Sequence, residues 1–471
     1  MDKFITHLIQ DKSIIRQLQI LETLIDSNEI KSSKDLSQIL ECTSRTIIND
    51  ISQLKLALPE NWDLISIQSK GYLLKRDFSN DFSELVIPYI MNSELYKILM
   101  GIFNQKYYSL EKWSQLLYLD KITLKKLLKN FRKTLEIFGL DLNFRTIKLV
   151  GQEINLRYFY IMFFYNIQKY QEMITLDSRL QEKIKNITRN YNVEIDYNML
   201  TIIISVSIKR VANKHFISEI VEFQPILNTN NLECINSIIC ELENFFNIKL
   251  TEYELSYFKN AFSIILEWNT EEKNRITDYY YKTSKKTYDK NIHLFQKISS
   301  EINVCLKIKE KIKHDLFFRL HKIYKFQKYG LSIGAFGNEF DIVHQEFSEG
   351  HDIIYPLISS WNKKINKNRL NNDEINYIIY HILFIVHSNH NKKGLLLLSG
   401  SSALKKFIYY KLNHELGDFV TLQQRPDCIH KFDFILTNYQ IQNTPIPIIR
   451  ISNKTIQKDS SYVRKILSPF N

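Results

Sequence analysis

The sequence predicts a mainly α, multi-domain protein that ends in a small α/β layer, and three observations carry that expectation. The chain has 471 residues but only 11 Gly and 8 Pro, too few breakers for short strands joined by tight turns. Apolar residues recur with a period near 3.6 over most of the length, the pattern of amphipathic helices. After about residue 392 the pattern changes to short apolar runs separated by loops and one helix, as in buried parallel strands. Hydrophobic residues make up 44% and charged residues 24%, the balance of a folded globular protein. The length predicts about three domains or more.

No apolar run reaches the roughly 18 residues that a membrane span needs. The closest, YIIYHILFIV from Tyr377 to Val386, is about half as long and carries His381. The opening MDKFITHLIQDK places Asp2, His7 and Asp11 where a signal peptide needs its apolar stretch. The cysteines Cys42, Cys234, Cys240, Cys305 and Cys428 are odd in number and form no C-x-x-C pair. Neither a disulfide framework nor a zinc ribbon is expected, and a reducing cytoplasm is. No cofactor, metal or membrane is called for. Lys and Arg number 63 against 51 Asp and Glu, a net charge of +12, which permits an anionic partner. Residues 121–148 concentrate that charge: Lys121, Lys125, Lys126, Lys129, Arg132, Lys133, Arg145 and Lys148 face only Glu136 and Asp141. A second lysine excess, from about 273 to 328, reads as a solvated helix face.

Residues 13–25 (SIIRQLQILETLI) form the first strong helical stripe. The segment from Lys31 to Leu58 then reads as two short helices. Ser33 is the expected cap of the first, with Leu36, Ile39 and Leu40 inward. Thr43 is the expected cap of the second, with Ile47, Ile51 and Leu54 inward. Only Glu41 and Cys42 form the turn, so the helices must cross steeply, and the small Ser37 permits the approach. This is helix-turn-helix geometry, and it leaves Ser44, Arg45, Thr46, Asn49 and Gln53 outward. WDLISIQSKGYLLKR alternates around Lys70-Gly71 and reads as a two-stranded wing. The pattern then recurs: a helix over 93–103, a second from Tyr108 to Leu117, a basic third from Ile122 to Phe138, and the strand pair LDLNFRTIKLVG. The second set of outward residues is Lys121, Thr123, Lys125, Lys126, Lys129, Asn130 and Lys133, with Arg145 in the wing.

LSQILECTSRTIINDISQL resembles the helix-turn-helix of DeoR- and Mga-type bacterial regulators at Leu36, Ser37, Leu40, Thr43, Arg45, Thr46, Ile47, Asp50 and Ile51. It departs at Glu41, where those proteins usually carry a turn Gly. The second copy resembles the Mga helix-turn-helix module through Ser114, the cap Asp120, Thr123-Leu124-Lys125-Lys126 and the trailing LVGQEINLRYFY. Downstream, TEYELSYFKNAFSIILEW (251–268) and NDEINYIIYHILFIVHS (372–388) each have an acidic start and then an aromatic-aliphatic helix. Two tandem helical units of this layout look like the PTS regulation domains of Mga/AtxA-type regulators. The C-terminal strands GLLLLSG, FVTLQQ, DFILTN and IPIIRIS, with the helix SSALKKFIYYKLNHELG, resemble that type's EIIB-like domain. The resemblance therefore implies winged helix-turn-helix 1 over 1–80, Mga-type helix-turn-helix 2 over 81–158, PTS regulation domains over 159–278 and 279–391, and the EIIB-like domain over 392–471.

In that type some histidines are phosphorylated by the sugar phosphotransferase system. His381 follows Glu374 by seven residues, as in the E-x(6)-H pattern; the corresponding place after Glu254 is Ala261. His215, His314 and His321 are looser candidates. No cation lies near His381 in sequence, so a phosphoryl group there is expected to repel its surroundings and weaken self-association. A working EIIB enzyme needs a cysteine in the loop after its first strand, and Ser399-Gly400-Ser401-Ser402 has none; the alternative reading of that loop is an anion cradle of backbone N–H groups. No nucleotide-, zinc- or serine-hydrolase motif occurs, so no enzyme is expected.

The resemblance implies a cytoplasmic, DNA-binding transcriptional regulator of the Mga/AtxA virulence-regulator type. It implies duplex DNA as partner, a homodimer, and a phosphotransferase-system phosphocarrier protein as a modifying partner. The alternatives are an RNA-binding antiterminator with the same regulation domains, which would begin with a small β-domain, and a phosphotransferase-related enzyme.

Overall fold

The computed structural model describes residues 3–27, 29–76, 81–221, 227–333, 347–367, 369–389, 392–417, 420–424, 432–441, 444–451, 460, 462–463 and 466–467. Cys428 lies outside them. The chain divides into two compact units, the first Met1–Glu267 with Tyr324–Asn338, the second Trp268–Ile323 with Glu339–Asn471. The architecture is mainly helical with a small parallel sheet near the C-terminus, as the sequence predicts.

The first unit opens with α1 (Lys3–Ile9) and α2 (Lys12–Ser27), followed by α3 (Ser33–Ile39) and α4 (Ser44–Ala57). The hairpin β1 (Trp62–Ile67) and β2 (Gly71–Arg76) pairs antiparallel from Trp62↔Arg76 to Ile67↔Gly71. One core holds α2, α3, α4 and the hairpin together: Ile20, Leu21 and Leu24 from α2 meet Leu36, Ile47, Ile51, Leu54, Trp62, Leu64 and Leu74. Lys31 adds a bridge to the hairpin, exchanging two backbone hydrogen bonds with Tyr72 at 3.0 and 2.9 Å. Gly71 makes that possible: its φ is +136°, and a Cβ there would lie 2.3 Å from the Lys31 carbonyl oxygen.

Next come α5 (Ser83–Asn92), α6 (Glu94–Phe103), α7 (Leu110–Leu117) and α8 (Lys121–Glu136), then the antiparallel pair β3 (Asp141–Asn143) and β4 (Lys148–Val150). The third expected helix thus spans Lys121–Glu136 rather than Ile122–Phe138. The second starts at Leu110, because Ser109 caps it and the Tyr108 carbonyl accepts from Ile147 N at 2.8 Å. A long α9 (Glu153–Gln168) follows, so the expected 158/159 division falls inside a helix. Its rings form an aromatic core: Phe159 and Phe163 meet Phe4 of α1, while Phe103 packs on Tyr160 and Phe164. The unit's remaining helices are α10 (Ser178–Asn190), α11 (Tyr197–Ala212), α12 (Thr229–Phe246) and α13 (Glu252–Ile265).

The second unit contains α14 (Thr270–Thr283), which spans the expected 278/279 division, α15 (Lys285–Glu301), and α16 (Leu306–Lys328) up to residue 323. It continues with α17 (Ser348–Lys364) and α18 (Asn372–Asn389). Its sheet has the order β6-β5-β7-β8, with β5 (Lys392–Leu397), β6 (Val420–Gln423), β7 (Phe434–Thr437) and β8 (Ile448–Arg450) all parallel. Helix α19 (Ser402–Leu416) covers one face through Ile408, Leu412 and Leu416. Parallel strands need such a crossover, and β7 is buried at all four positions, with Phe434, Ile435 and Leu436 a continuous apolar run before Thr437.

Candidate nucleic-acid interface

Helix α3 is capped by Ser32, one residue before the expected Ser33: Ser32 Oγ accepts from Asp35 N at 3.1 Å, and Asp35 Oδ2 accepts from Ser32 N at 2.9 Å. The Asp35 carboxyl, held first by its bond to the Ser32 hydroxyl, titrates below the usual range. Leu36 is buried as expected, but Ile39 is exposed. With only two turns, the helix has one covered stripe, and Leu36 and Leu40 occupy it. The turn residue Glu41 adopts φ 50°, the left-handed conformation that favours Gly. Thr43 caps α4 by accepting from Thr46 N at 3.2 Å. Ile47, Ile51 and Leu54 are buried, as their spacing predicts.

Asp50 is also buried and ties α4 to α2. It accepts a two-pronged contact from Arg16 of α2, Nη2 lying 3.1 Å from Oδ1, and a bond from Ser13 Oγ at 3.2 Å. The outward residues are graded. Arg45 and Asn49 are exposed, whereas Ser44 and Thr46 are half-buried. Ser44 Oγ donates to Ser37 Oγ at 3.4 Å. Gln53 is exposed, yet its Oε1 accepts from Gln17 Nε2 at 2.5 Å, which draws the amide toward α2. Lys70 stands exposed in the wing turn.

The second copy repeats the plan with different chemistry. Asp120 caps α8, its Oδ1 accepting from Ile122 N and Thr123 N, both at 2.9 Å. The bonds from Thr123 and Ile122 hold its carboxyl below the usual range. Ser114 Oγ donates to the Leu119 carbonyl at 2.6 Å and closes the turn. Leu124, Leu128, Phe131 and Leu135 face the core. Lys125, Lys126, Lys129, Asn130 and Lys133 are exposed, as are Thr123 and the wing's Arg145. Two of the region's cations have local anions: Lys121 lies 3.1 Å from Glu111, and Arg132 contacts Asp141 at 2.6 Å. The exposed cationic stripe on α8 is therefore Lys125, Lys126, Lys129 and Lys133.

The four histidines have different surroundings. His321 is buried, and its Nδ1 lies 3.0 Å from Tyr280 OH. His314 Nδ1 lies 2.9 Å from Thr277 Oγ1, and burial lowers its pKa. His215 uses its carbonyl to accept from Arg157 Nη2 at 3.0 Å, and burial lowers its pKa too. His381 packs edge-on against Tyr377 with centroids 4.7 Å apart. Burial, with the charge of Arg319 next, pulls its pKa down to about 3, so its imidazole is neutral at physiological pH. Arg319 Nη1 donates to Tyr377 OH at 2.9 Å, and Lys273 and Lys322 also act on His381. The local sequence carries no cation, but these three charges act on His381, with Asp315 opposing them. These cations come from α14 and α16, far away in sequence, so no local signal shows them.

In the loop after β5, Ser399 N donates to Asn438 Oδ1 at 2.8 Å and Ser401 caps α19. That Ser399 amide is engaged rather than open to an anion. Among the described residues, no three His, Cys, Asp or Glu are placed to hold a metal ion, and no helix is long and apolar enough to cross a membrane.

Comparison with known proteins gives the same plan. The HTH domain family matches residues 16–73, and the Mga helix-turn-helix domain family matches 79–164. The capsule synthesis positive regulator AcpB of Bacillus anthracis is 22% identical over 97% of this chain and 99% of its own length. The capsule synthesis positive regulator AcpA of the same organism is 19% identical over 87% of each chain. Its anthrax toxin expression trans-acting positive regulator is 21% identical over 59% of this chain and 60% of its own. With two helix-turn-helix domains in tandem and a likeness to AcpB running through nearly the whole chain, this protein is similar to regulators of the Mga/AtxA type.

Proposed function

We propose that this protein binds duplex DNA through its two helix-turn-helix units and thereby regulates transcription, without enzymatic activity. The observation that carries the reading is the exposed face of α8, where Lys125, Lys126, Lys129 and Lys133 share one side of a helix whose other side is core. Such a face neutralises phosphates, while the first turn of each recognition helix reaches base edges. Arg45, Asn49 and Thr123 are the base-edge residues in this scheme; Ser44, Thr46, Gln53, Lys70, Lys121, Asn130 and Arg145 complete the surface. A gel shift on duplex DNA against an RNA hairpin of matching sequence tests it, with genome-wide occupancy mapping to find the sites. Duplex binding is expected; a preference for the hairpin supports the antiterminator reading and overturns this one.

Regulation by phosphorylation belongs to the same proposal, with His381 as acceptor and a phosphocarrier protein as donor. A neutral imidazole is the nucleophilic form, and Lys322, with Arg319 and Lys273 shared with Asp315, brings positive charge to bear on the phosphoryl group. The division of the helical body into two PTS regulation domains and the EIIB-like C-terminal layer are part of this reading. So is homodimer formation. Most of the apolar surface of α18 is buried within its own unit, but Phe384 remains 63% exposed. Phe407 and Tyr410 on α19 are exposed as well.

A further inference from the structure

The two recognition helices carry different residues at the same place. Counted from the caps Thr43 and Asp120, the second helical position is Arg45 in α4 and Ile122 in α8. Ile122 is 83% exposed. At 100° per residue it lies on the same face as Lys125, Lys126, Lys129 and Lys133, one turn nearer the helix start. Four residues earlier in the chain, Tyr118 ends α7 with φ 55°, a conformation rare for a bulky side chain, and the residue is 95% exposed. An isolated exposed apolar residue needs no explanation. One in the first turn of a basic helix, with a second exposed in the turn that leads into that helix, fits a ligand that is anionic on its outside and apolar within. The major groove is such a ligand, since thymine presents a 5-methyl group there.

We infer that Ile122 is a specificity-determining residue that reads thymine methyl groups, so that the two helix-turn-helix units differ in the base chemistry they recognise. Arg45 is built for the acceptors of guanine, Ile122 for the methyl of thymine. The inference rests on the DNA-binding reading above and deepens it.

The test titrates the full-length protein against poly(dA-dT) and poly(dA-dU), duplexes that share the same phosphate charge and differ by the thymine 5-methyl. The wild type is expected to bind the thymine duplex roughly fourfold tighter or more, the factor for burying about one methyl group. Ile122→Ala is expected to bind both duplexes equally while keeping the wild-type salt dependence, and Ile122→Val to retain the preference. A preference that survives in Ile122→Ala, or equal binding of both duplexes by the wild type, overturns the inference while leaving DNA binding intact. A wild type that binds neither duplex at low salt overturns the DNA-binding reading and this inference together.

Discussion

The guanidinium of Arg157 and the carboxylate of Glu254, 97 residues apart in sequence, form a two-pronged buried ion pair with contacts of 2.6 and 2.8 Å. Arg157 belongs to α9 and Glu254 to α13, so the pair joins the end of the second helix-turn-helix region to the helices that follow. Glu153 extends it, accepting from Arg157 Nε at 3.1 Å and from Arg210 Nη2 at 2.6 Å. Ile217 N donates to Glu254 Oε1 at 2.9 Å, and the Arg157 guanidinium lies 4.8 Å from the Tyr257 ring centroid.

Removing one partner leaves an uncompensated buried charge, which costs about 3–5 kcal/mol. Arg157→Ala and Glu254→Ala should each destabilise the full-length protein by that much in urea denaturation. The exposed Lys121–Glu111 pair, screened by solvent, should contribute far less. A change below about 1 kcal/mol in Arg157→Ala contradicts the strength assigned to the network.

Glu41 stores strain that glycine does not have. A left-handed residue with a Cβ costs roughly 1–2 kcal/mol, partly offset by the greater unfolded-state freedom of Gly. Glu41→Gly should therefore stabilise the protein by up to about 1 kcal/mol and leave DNA affinity unchanged. Equilibrium denaturation decides; a loss of stability means that the Glu41 side chain supports the turn.

Replacing Lys125, Lys126 and Lys129 together with Ala should weaken binding to any duplex. The plot of log K against log salt should flatten by about 0.9 for each phosphate that is no longer neutralised. Circular dichroism should show native helix content, because all three side chains are exposed. An unchanged salt slope removes α8 from the interface.

Asp315 predicts an acid-sensitive second unit. Burial alone raises its pKa, but Arg319 and Lys273 outweigh that and hold it at about 2. Its carboxylate contacts Lys273 Nζ at 2.7 Å and Arg319 Nη2 at 3.2 Å. Because the folded value lies below the unfolded one, the stabilisation is present above a pH of about 4 and disappears as pH falls toward about 2. It amounts to about 2 kcal/mol. Asp315→Asn should flatten the stability curve across that window; an unaltered slope assigns the acid sensitivity to other groups.

His381 should remain neutral from about pH 5 to 8, since its folded pKa is about 3. Imidazole NMR signals of selectively labelled protein should not move over that range, whereas those of a free histidine shift about a midpoint near 6.5. The unfolded chain binds a proton there that the native chain does not. This group therefore makes the protein less stable as pH falls below about 6.5. A midpoint above about 6 removes the basis for a neutral acceptor at this site.

Both helix-turn-helix units were legible from sequence because their physics is local: caps, a short turn and a period of about 3.6 lie within about thirty residues of one another. Thr43 and Asp120 cap as their residue types predict, and Ile47, Ile51 and Leu54 are buried where their spacing puts them. The parallel C-terminal strands were legible for the same reason, as apolar runs broken by loops. Only the tertiary structure decided where distant side chains meet. It placed Phe4 of α1 against Phe159 and Phe163, drew the Gln53 amide toward Gln17, and turned Ile39 outward on a two-turn helix. It also brought the charges of Arg319, Lys273 and Lys322 to bear on His381, where the local sequence shows no cation. Local periodicity reports which face of an element is buried; electrostatic environment depends on groups tens or hundreds of residues away, and these are adjacent only after the chain has packed.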